Sequence, residues 1–267
     1  MNRPKQISQW RIVAASVCGT SHAKNQQLCQ DAHHWQLLAN NVLVIAVADG
    51  AGSAKLGKVG SMIAVETAIE YLSLQEITSD TLANDDFLRN LLTNTILVAR
   101  KAIETEADEC KNQPHDLATT LILMIATPEI VAVAQIGDGL AVAKNGAGKL
   151  MALTMPNNGE YINETTFLTS PHGLETVQLN LWREEITNVG VLTDGLQMLA
   201  LNMIVGDSGN VTAIPHKPFF MPLFEFVHNA EDKILAKEQL HRFLSSERIT
   251  QRTDDDLTLV LAALKDS

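Results

Sequence analysis

Three apolar runs in the sequence end in the dipeptide Asp-Gly. AVADG carries Asp49, QIGDG carries Asp138 and VLTDG carries Asp194. A further acidic group, TDDD (253–256), stands immediately before the apolar run LTLVLAAL, and Asp31 in QDAHHW opens another apolar segment. Aspartate is short, so a strand fixes its oxygens closely, and the glycine after it lets the backbone bend until a carbonyl can also face a cation. One Asp-Gly is an ordinary turn. Several carboxylates gathered at one point repel each other unless cations lie between them. Oxygen donors without a Cys-x-x-Cys pair or a paired-histidine motif suit Mg2+ or Mn2+.

The stretch DGAGSAKLGKVGS (49–61) offers a rival chemistry. Its GSAKLGK portion, Gly52 to Lys58, has the glycine and lysine spacing of a phosphate-cradling loop, and VGVLTDG could then supply a second acidic magnesium ligand. Such a loop needs Ser or Thr directly after its lysine, and Val59 stands there. It also rests on parallel strand-helix-strand units, which the rest of the chain does not suggest. The glycines with Lys55 and Lys58 therefore read as a flexible turn leading into a helix.

The elements that must position these aspartates can be read from periodicity. WRIVAASVCG (10–19) is an expected first strand, and WQLLANNVLVIAVADG is two apolar runs around a hairpin-like Asn40-Asn41. Residues 58–74 place Met62, Val65, Ala68, Ile69 and Leu72 at helical spacing. A second helix is expected from Asp85 to Cys110, with Leu88, Leu91, Leu92, Ile96 and Ala99 as its apolar stripe and Asp85 and Asp86 at its N-terminal end. The runs at 118–126, 130–137 and 140–145 are joined by TPE and DG, too short for parallel crossovers, so an antiparallel meander is expected. Strands follow at 186–195 and 257–264, with an irregular Pro- and Phe-rich stretch at 215–226 and a helix at 230–245 between them. No repeat and no linker-like break is visible. One mixed α+β domain over residues 1–267 is the expectation.

Composition excludes other classes. The chain of 267 residues is 46% hydrophobic, enough for a sizeable core, and only 19% charged, which argues against disorder. A formal net charge of -11 disfavours nucleic-acid and anionic-membrane surfaces. The odd set Cys18, Cys29 and Cys110 suggests neither a disulfide framework nor a zinc knuckle, which fits a reduced, cytoplasmic setting. MNRPKQISQW has no long apolar core, and no run of about 18 apolar residues suggests a membrane span.

Taken in chain order, these motifs resemble the metal-dependent protein phosphatases of type 2C, in a bacterial subgroup. GTSHAKNQQLCQDA resembles the opening motif, ADGAGSAKLGKVGS the metal loop and its helix, and ATTLIL with AQIGDG the central hairpin. YINETTFLT (161–169) is similar to an Asn-Glu-Thr segment of that subgroup, and VLTDG and DDDLTLVLA resemble the last two metal motifs. The resemblance implies a four-layer α-β-β-α sandwich of two antiparallel sheets flanked by helices. It implies a serine/threonine phosphatase that binds two, or three, Mn2+ or Mg2+ ions and uses a metal-activated water, with no enzyme nucleophile. Asp49 would bridge two ions, and the Gly50 carbonyl would bind the second. Asp194 and Asp255 would complete the first, Asp31 would hold a metal-bound water, and Asp138 would join Asp194 at a third ion. Asp254 and Asp256 are less favoured, since Asp256 stands where the family often has Asn.

The sequence also departs from the family. Gln30 replaces a glutamate of some members, which would leave the second ion held more through water. Ala51 stands where eukaryotic members place a proton-donating histidine, and the opening motif lacks its phosphate-gripping arginine. His22 is the nearest replacement for either, against a structural role in a turn. His33 and His34 are read as one core and one surface residue. The implied partner is a phosphoprotein, in a cycle with a serine/threonine kinase. The alternative from another class is a catalytically weak module of the same fold that binds a phosphoprotein. The aromatics of the 200–226 segment are read as a local hydrophobic plug rather than a docking flap.

Overall fold

The structure, a computed structural model, describes residues 9–156, 165–205 and 211–265. Two five-stranded antiparallel sheets face each other. The first contains β1 (Trp10–Val17), β12 (Leu257–Leu264), β9 (Ile186–Leu192), β6 (Leu140–Asn145) and β7 (Leu150–Ala152), in that order. The second contains β2 (Asp31–Leu37), β3 (Leu43–Asp49), β4 (Leu121–Ala126), β5 (Ile130–Ile136) and β8 (Gln178–Arg183). A separate two-stranded ribbon pairs β10 (Leu201–Val205) with β11 (Val211–Pro215). The helices are α1 (Thr20–Lys24), α2 (Gly57–Ser73), α3 (Ser79–Leu82), α4 (Asp85–Glu109), α5 (Gln197–Ala200), α6 (Lys217–Asn229), α7 (Lys233–Leu244) and α8 (Glu247–Thr250).

Unbroken apolar strands follow from burial on both faces. In β3, Leu43, Ile45 and Val47 enter the core between the sheets, together with Ile12, Met124, Val133, Val191 and Val260. Val44, Ala46 and Ala48 face the other way, onto α2 and α4. The first sheet does the same with α6 and α7: Val260 and Ala262 of β12 point inward, while Leu259 and Leu261 point to the helices. Helix α4 begins at Asn84, whose side chain accepts the Phe87 N–H, and buries Leu88, Leu91, Leu92, Ile96, Ala99 and Ile103. Two sheets between two helical layers is the expected architecture. The hairpin at Asn40-Asn41 is also present, with φ of 56° and 60° at the two asparagines, values they tolerate better than most residues.

Two expectations fail. The three central runs are not one meander. Strands β4 and β5 pair with each other, but β6 lies in the opposite sheet and pairs with β9 and β7. Short connections rule out a parallel crossover, yet they do not distinguish a hairpin from a step between stacked sheets about 10 Å apart, which three extended residues can span. Gly137 makes that step with φ of 107°, its backbone so close that a Cβ would sit 2.5 Å from the Thr120 methyl. The stretch 215–226 is not irregular either, because most of it is helix α6. Pro218 sits in its first turn, where an N–H has no intrahelical partner, and Pro222 removes one bond close behind it. Phe220, Leu223, Phe224 and Val227 bury one face of α6 against the first sheet, and this outweighs the prolines. Phe220 and Phe224 are core, whereas Phe219 and Phe226 are half-buried at its margin. The short β7, β8, β10 and β11 were not anticipated at all.

Phe220 is fully buried, whereas its neighbour Met221 is 38% exposed. Phe220→Ala is expected to lower unfolding free energy by about 3–5 kcal/mol. Met221→Ala should stay within about 0.5 kcal/mol. Urea denaturation of the two variants checks the placement of α6, and equal effects would contradict it.

Candidate metal centre

Antiparallel pairing carries the aspartates to one end of the sandwich. The start of β2 lies opposite the end of β3, so Asp31 and Asp49 are direct cross-strand partners. Strand β5 runs in the direction of β3, so its exit through Asp138 reaches the same end. In the other sheet, Leu192 at the end of β9 pairs with both Leu140 at the start of β6 and Leu259 near the start of β12. Asp194 follows the first of these strands and Asp255 precedes the last. Carboxylate oxygens of Asp49, Asp138 and Asp194 lie within 4.8 Å of one another. Asp255 is close enough to act electrostatically on both Asp49 and Asp194.

Threonines hold these groups in place, and sequence reasoning assigned them no such role. The Asp49 N–H donates to Thr120 Oγ1 at 2.9 Å, while Thr119 Oγ1 and the Thr120 N–H donate to the Asp49 carbonyl at 2.9 and 2.8 Å. Thr193 Oγ1 donates to Asp31 Oδ2 at 2.8 Å, and the Thr258 N–H donates to that hydroxyl, so Asp31 is tied to the opposite sheet. Thr165 Oγ1 donates to Asp138 Oδ2 at 2.5 Å. Thr165 belongs to YINETTFLT, whose residues 161–164 lie outside the described residues. In VLTDG a hydroxyl stands beside the strand-end aspartate, whereas ATTLIL holds no aspartate and its threonines meet Asp49 only where β4 enters beside the end of β3.

Asp256 also acts differently from its neighbours. It is 1% exposed and accepts the backbone N–H groups of Gly19 and Gln30 at 2.6 and 2.5 Å, fastening the opening loop. Asp254 is exposed, and its carbonyl accepts the Ser21 N–H. His22, on α1, places Nδ1 2.9 Å from Asp256 Oδ2, within ion-pair reach though not aligned as a hydrogen bond. Its Nε2 lies 4.0 Å from where a Cβ on Gly52 would stand, so the ring borders the metal loop. His33 faces inward, bonded to Ser16 Oγ at 2.8 Å, and burial lowers its pKa to about 4; His34 is exposed.

The glycines of DGAGSAKLGKVGS now have a physical reason. A Cβ on Gly50 would lie 2.4 Å from the Gly57 carbonyl carbon, and one on Gly57 would collide with Gln30. They permit close backbone packing, and the antiparallel sheets supply no platform for a phosphate loop. Gln30 is buried. With its amide nitrogen turned toward the metal loop, it donates to the carbonyls of Gly50 at 2.9 Å and Ala51 at 3.0 Å. The Gly50 carbonyl assigned to the second ion is thus already a hydrogen-bond acceptor.

The carboxylates are electrostatically uncomfortable without cations. Burial, opposed by bonds from Thr193 and Thr258 and reinforced by Asp256 and Asp194, raises Asp31 to about 8. Burial and then Asp138 and Asp255 raise Asp194 to about 7. Burial and then Asp31, Asp194 and Asp255 push Asp49 well above the ordinary carboxylate range, and burial likewise raises Asp255. Asp31 Oδ1 and Asp194 Oδ1 are buried without a hydrogen-bond partner. Orphaned anionic oxygens facing like charge fit a hard divalent cation, and an oxygen-only donor set fits Mn2+ or Mg2+.

These raised values make metal-free stability fall with pH. An unfolded aspartate titrates near ~3.9, so between that pH and the folded values of about 7 and 8 the native state binds more protons than the unfolded chain. The stabilising contribution is complete below the unfolded value and is lost as pH rises through the folded ones. The melting temperature of chelated protein is therefore expected to drop from pH 5.5 to pH 8. Asp49→Asn should match or exceed wild type at pH 8 without metal. A metal-free melting temperature that rises across this window would contradict the electrostatics.

Similarity to known proteins extends over most of the chain. The family described as Protein phosphatase 2C matches residues 18–245. The chain is 38% identical over 259 residues to Serine/threonine-protein phosphatase 3 of Escherichia coli (strain K12), covering 95% of this chain and 98% of that protein. Serine/threonine phosphatase Stp1 from Staphylococcus aureus has the same fold, with a TM-score of 0.65 at 16% identity over 100% of both chains. So does the catalytic domain of the phosphatase PstP, solved in complex with 2 manganese ions, with a TM-score of 0.60 at 20% identity over 96% of this chain and 99% of that one. Fold, aspartate constellation and similarity over nearly the whole length lead to one conclusion: the chain belongs to the protein phosphatase 2C family.

Proposed function

We propose that this protein is a metal-dependent serine/threonine protein phosphatase, and that residues 1–267 form a single catalytic domain. The observation that carries this reading is the convergence of Asp31, Asp49, Asp138, Asp194 and Asp255 from both sheets onto one point, with two buried carboxylate oxygens left unpartnered. Family membership supports the reaction class. Mn2+ or Mg2+ bound there supplies charge neutralisation of the phosphoryl group and acidification of water near neutral pH.

The chain's own residues have distinct tasks. Asp49 lies between the groups of the two sheets and would hold two ions, Asp194 and Asp255 one of them, and Asp138 with Asp194 a third. Asp31 is fixed through Oδ2 by Thr193, which leaves Oδ1 to accept a hydrogen bond from water. His22, with buried Asp256 behind its Nδ1, has Nε2 on the side of the metal loop, where it would give a proton to the departing serine or threonine oxygen. The substrate is a phosphoprotein. We further assign the enzyme to the cytoplasm and to a cycle with a serine/threonine kinase; among the described residues, no helix is long and apolar enough to cross a membrane.

Hydrolysis of a phosphothreonine peptide should vanish on chelation and return with Mn2+. Asp49→Asn or Asp194→Asn should reduce it to background in folded protein. Metal binding with no turnover would instead favour a non-catalytic phosphoprotein-binding module, and near-normal turnover in both variants would refute the ligand assignment.

His22→Ala separates three roles. Loss of a proton donor should slow the phosphopeptide by about 100- to 10,000-fold and an aryl phosphate far less, because an aryl leaving group needs little protonation. Equal losses on both substrates, mainly in KM, would make His22 a phosphate ligand. Unchanged kinetics with lower stability would leave it only a structural role.

A further inference from the structure

A cavity of about 540 Å3 opens between α6, α7 and α8, on the outer face of the first sheet. Phe219, Phe226 and Phe243 are among its apolar lining, and Arg248 and Arg252 also line it. Both arginines are exposed. Arg100, Arg183 and Arg242 each meet a carboxylate, but Arg248 and Arg252 have no ion-pair partner among the described residues. Among the described residues, no acidic side chain lines the cavity, so its charged lining is entirely positive in a chain of net charge -11.

The cavity also adjoins the metal centre along the chain. Arg252 is three residues before Asp255, and Leu199, another lining residue, is five residues after Asp194. Three residues of chain reach about 10 Å at most, and five residues wound into helical turns rise about 8–10 Å. An extended substrate with its phosphoryl group among the aspartates would reach the cavity about three to five residues away. Met198, 80% exposed, lies on the short stretch between them.

We propose that this cavity is the docking site for the stretch of the phosphoprotein substrate that flanks the phosphorylated residue, and that it selects an apolar side chain next to a carboxylate. The proposal rests on the phosphatase reading above. The hollow takes the apolar group, and Arg248 and Arg252 take the carboxylate, by paired hydrogen bonds that guanidinium geometry favours. The same two charges offset the repulsion that an acidic substrate meets as it approaches the aspartates.

The test uses the Mn2+-loaded full chain and three substrates: a phosphothreonine peptide with Phe-Glu-Glu placed three to five residues from the phosphothreonine on both sides, the same peptide with alanines there, and p-nitrophenyl phosphate. Wild type should show kcat/KM at least tenfold higher on the acidic, apolar peptide than on the alanine peptide. Arg248→Glu with Arg252→Glu should remove that preference through KM and leave p-nitrophenyl phosphate within twofold. Equal wild-type kinetics on the two peptides, or an equal loss on all three substrates, would overturn the proposal. So would tight binding of dodecanoate that leaves peptide hydrolysis unaffected, which would assign the cavity to a free anionic amphiphile. Failure to hydrolyse any of the three with Mn2+ would instead refute the phosphatase reading beneath it, an outcome independent of the flanking residues.

Discussion

Mutual repulsion among buried carboxylates is the constraint around which this protein is organised. Asp31 and Asp49 face each other across neighbouring strands, where opposed like charges destabilise a sheet. Asp138 and Asp194 stand within a few ångströms of Asp49, and Asp255 adds its field. An acidic chain could have let these side chains splay into water. Instead hydroxyls and backbone amides hold them: Thr120 and Thr119 fix the Asp49 backbone, Thr193 fixes Asp31, and Thr165 fixes Asp138. Such preorganisation is what a hard cation needs, because its ligands then do not have to be gathered at the moment of binding.

The sandwich makes that crowding tolerable. Each sheet is buried on both faces, so the strands ending in aspartate have little freedom to slide or tilt. A one-residue slip in β3 would exchange the set Leu43, Ile45 and Val47 with Val44, Ala46 and Ala48 and would swing Asp49 away from its partners. Registry of the core and geometry of the site are therefore one property. The exit from β5 shows the same coupling: Gly137 takes a conformation that other residues avoid, and the result is an aspartate at the seam between the sheets.

Much of this was legible in the sequence for a plain reason. Apolar runs of strand length that end in Asp-Gly report both a strand and what stands at its end, and α2 and α4 declare themselves by helical spacing. What stayed hidden depends on pairing across long distances. Whether β6 continues beside β5 or crosses to the other sheet is decided by partners on β9, some fifty residues further on. Helix α6 was hidden by Pro218 and Pro222, because local propensity spoke against a helix that burial of Phe220 and Phe224 enforces. The anchoring role of Asp256, one residue from a candidate ligand, is invisible until the loop at Gly19 and Gln30 is seen to close over it.

The pairing of Trp10 with Leu264, at the far ends of β1 and β12, carries a kinetic consequence. Strand β12 lies between β1 and β9 in its sheet, so neither of those strands has its full hydrogen bonding until the segment after Asp255 has been made and threaded between them. Contacts of such long sequence separation place loop closure before reward and slow folding. During synthesis at about 5–20 residues per second, β1 waits on the order of tens of seconds for its partner, presenting an apolar edge to whatever is nearby. The chain thus assembles its first sheet late, and a ribosome-bound fragment that stops short of β12 has no closed core on that side and no strand behind Asp255 to hold it at the site.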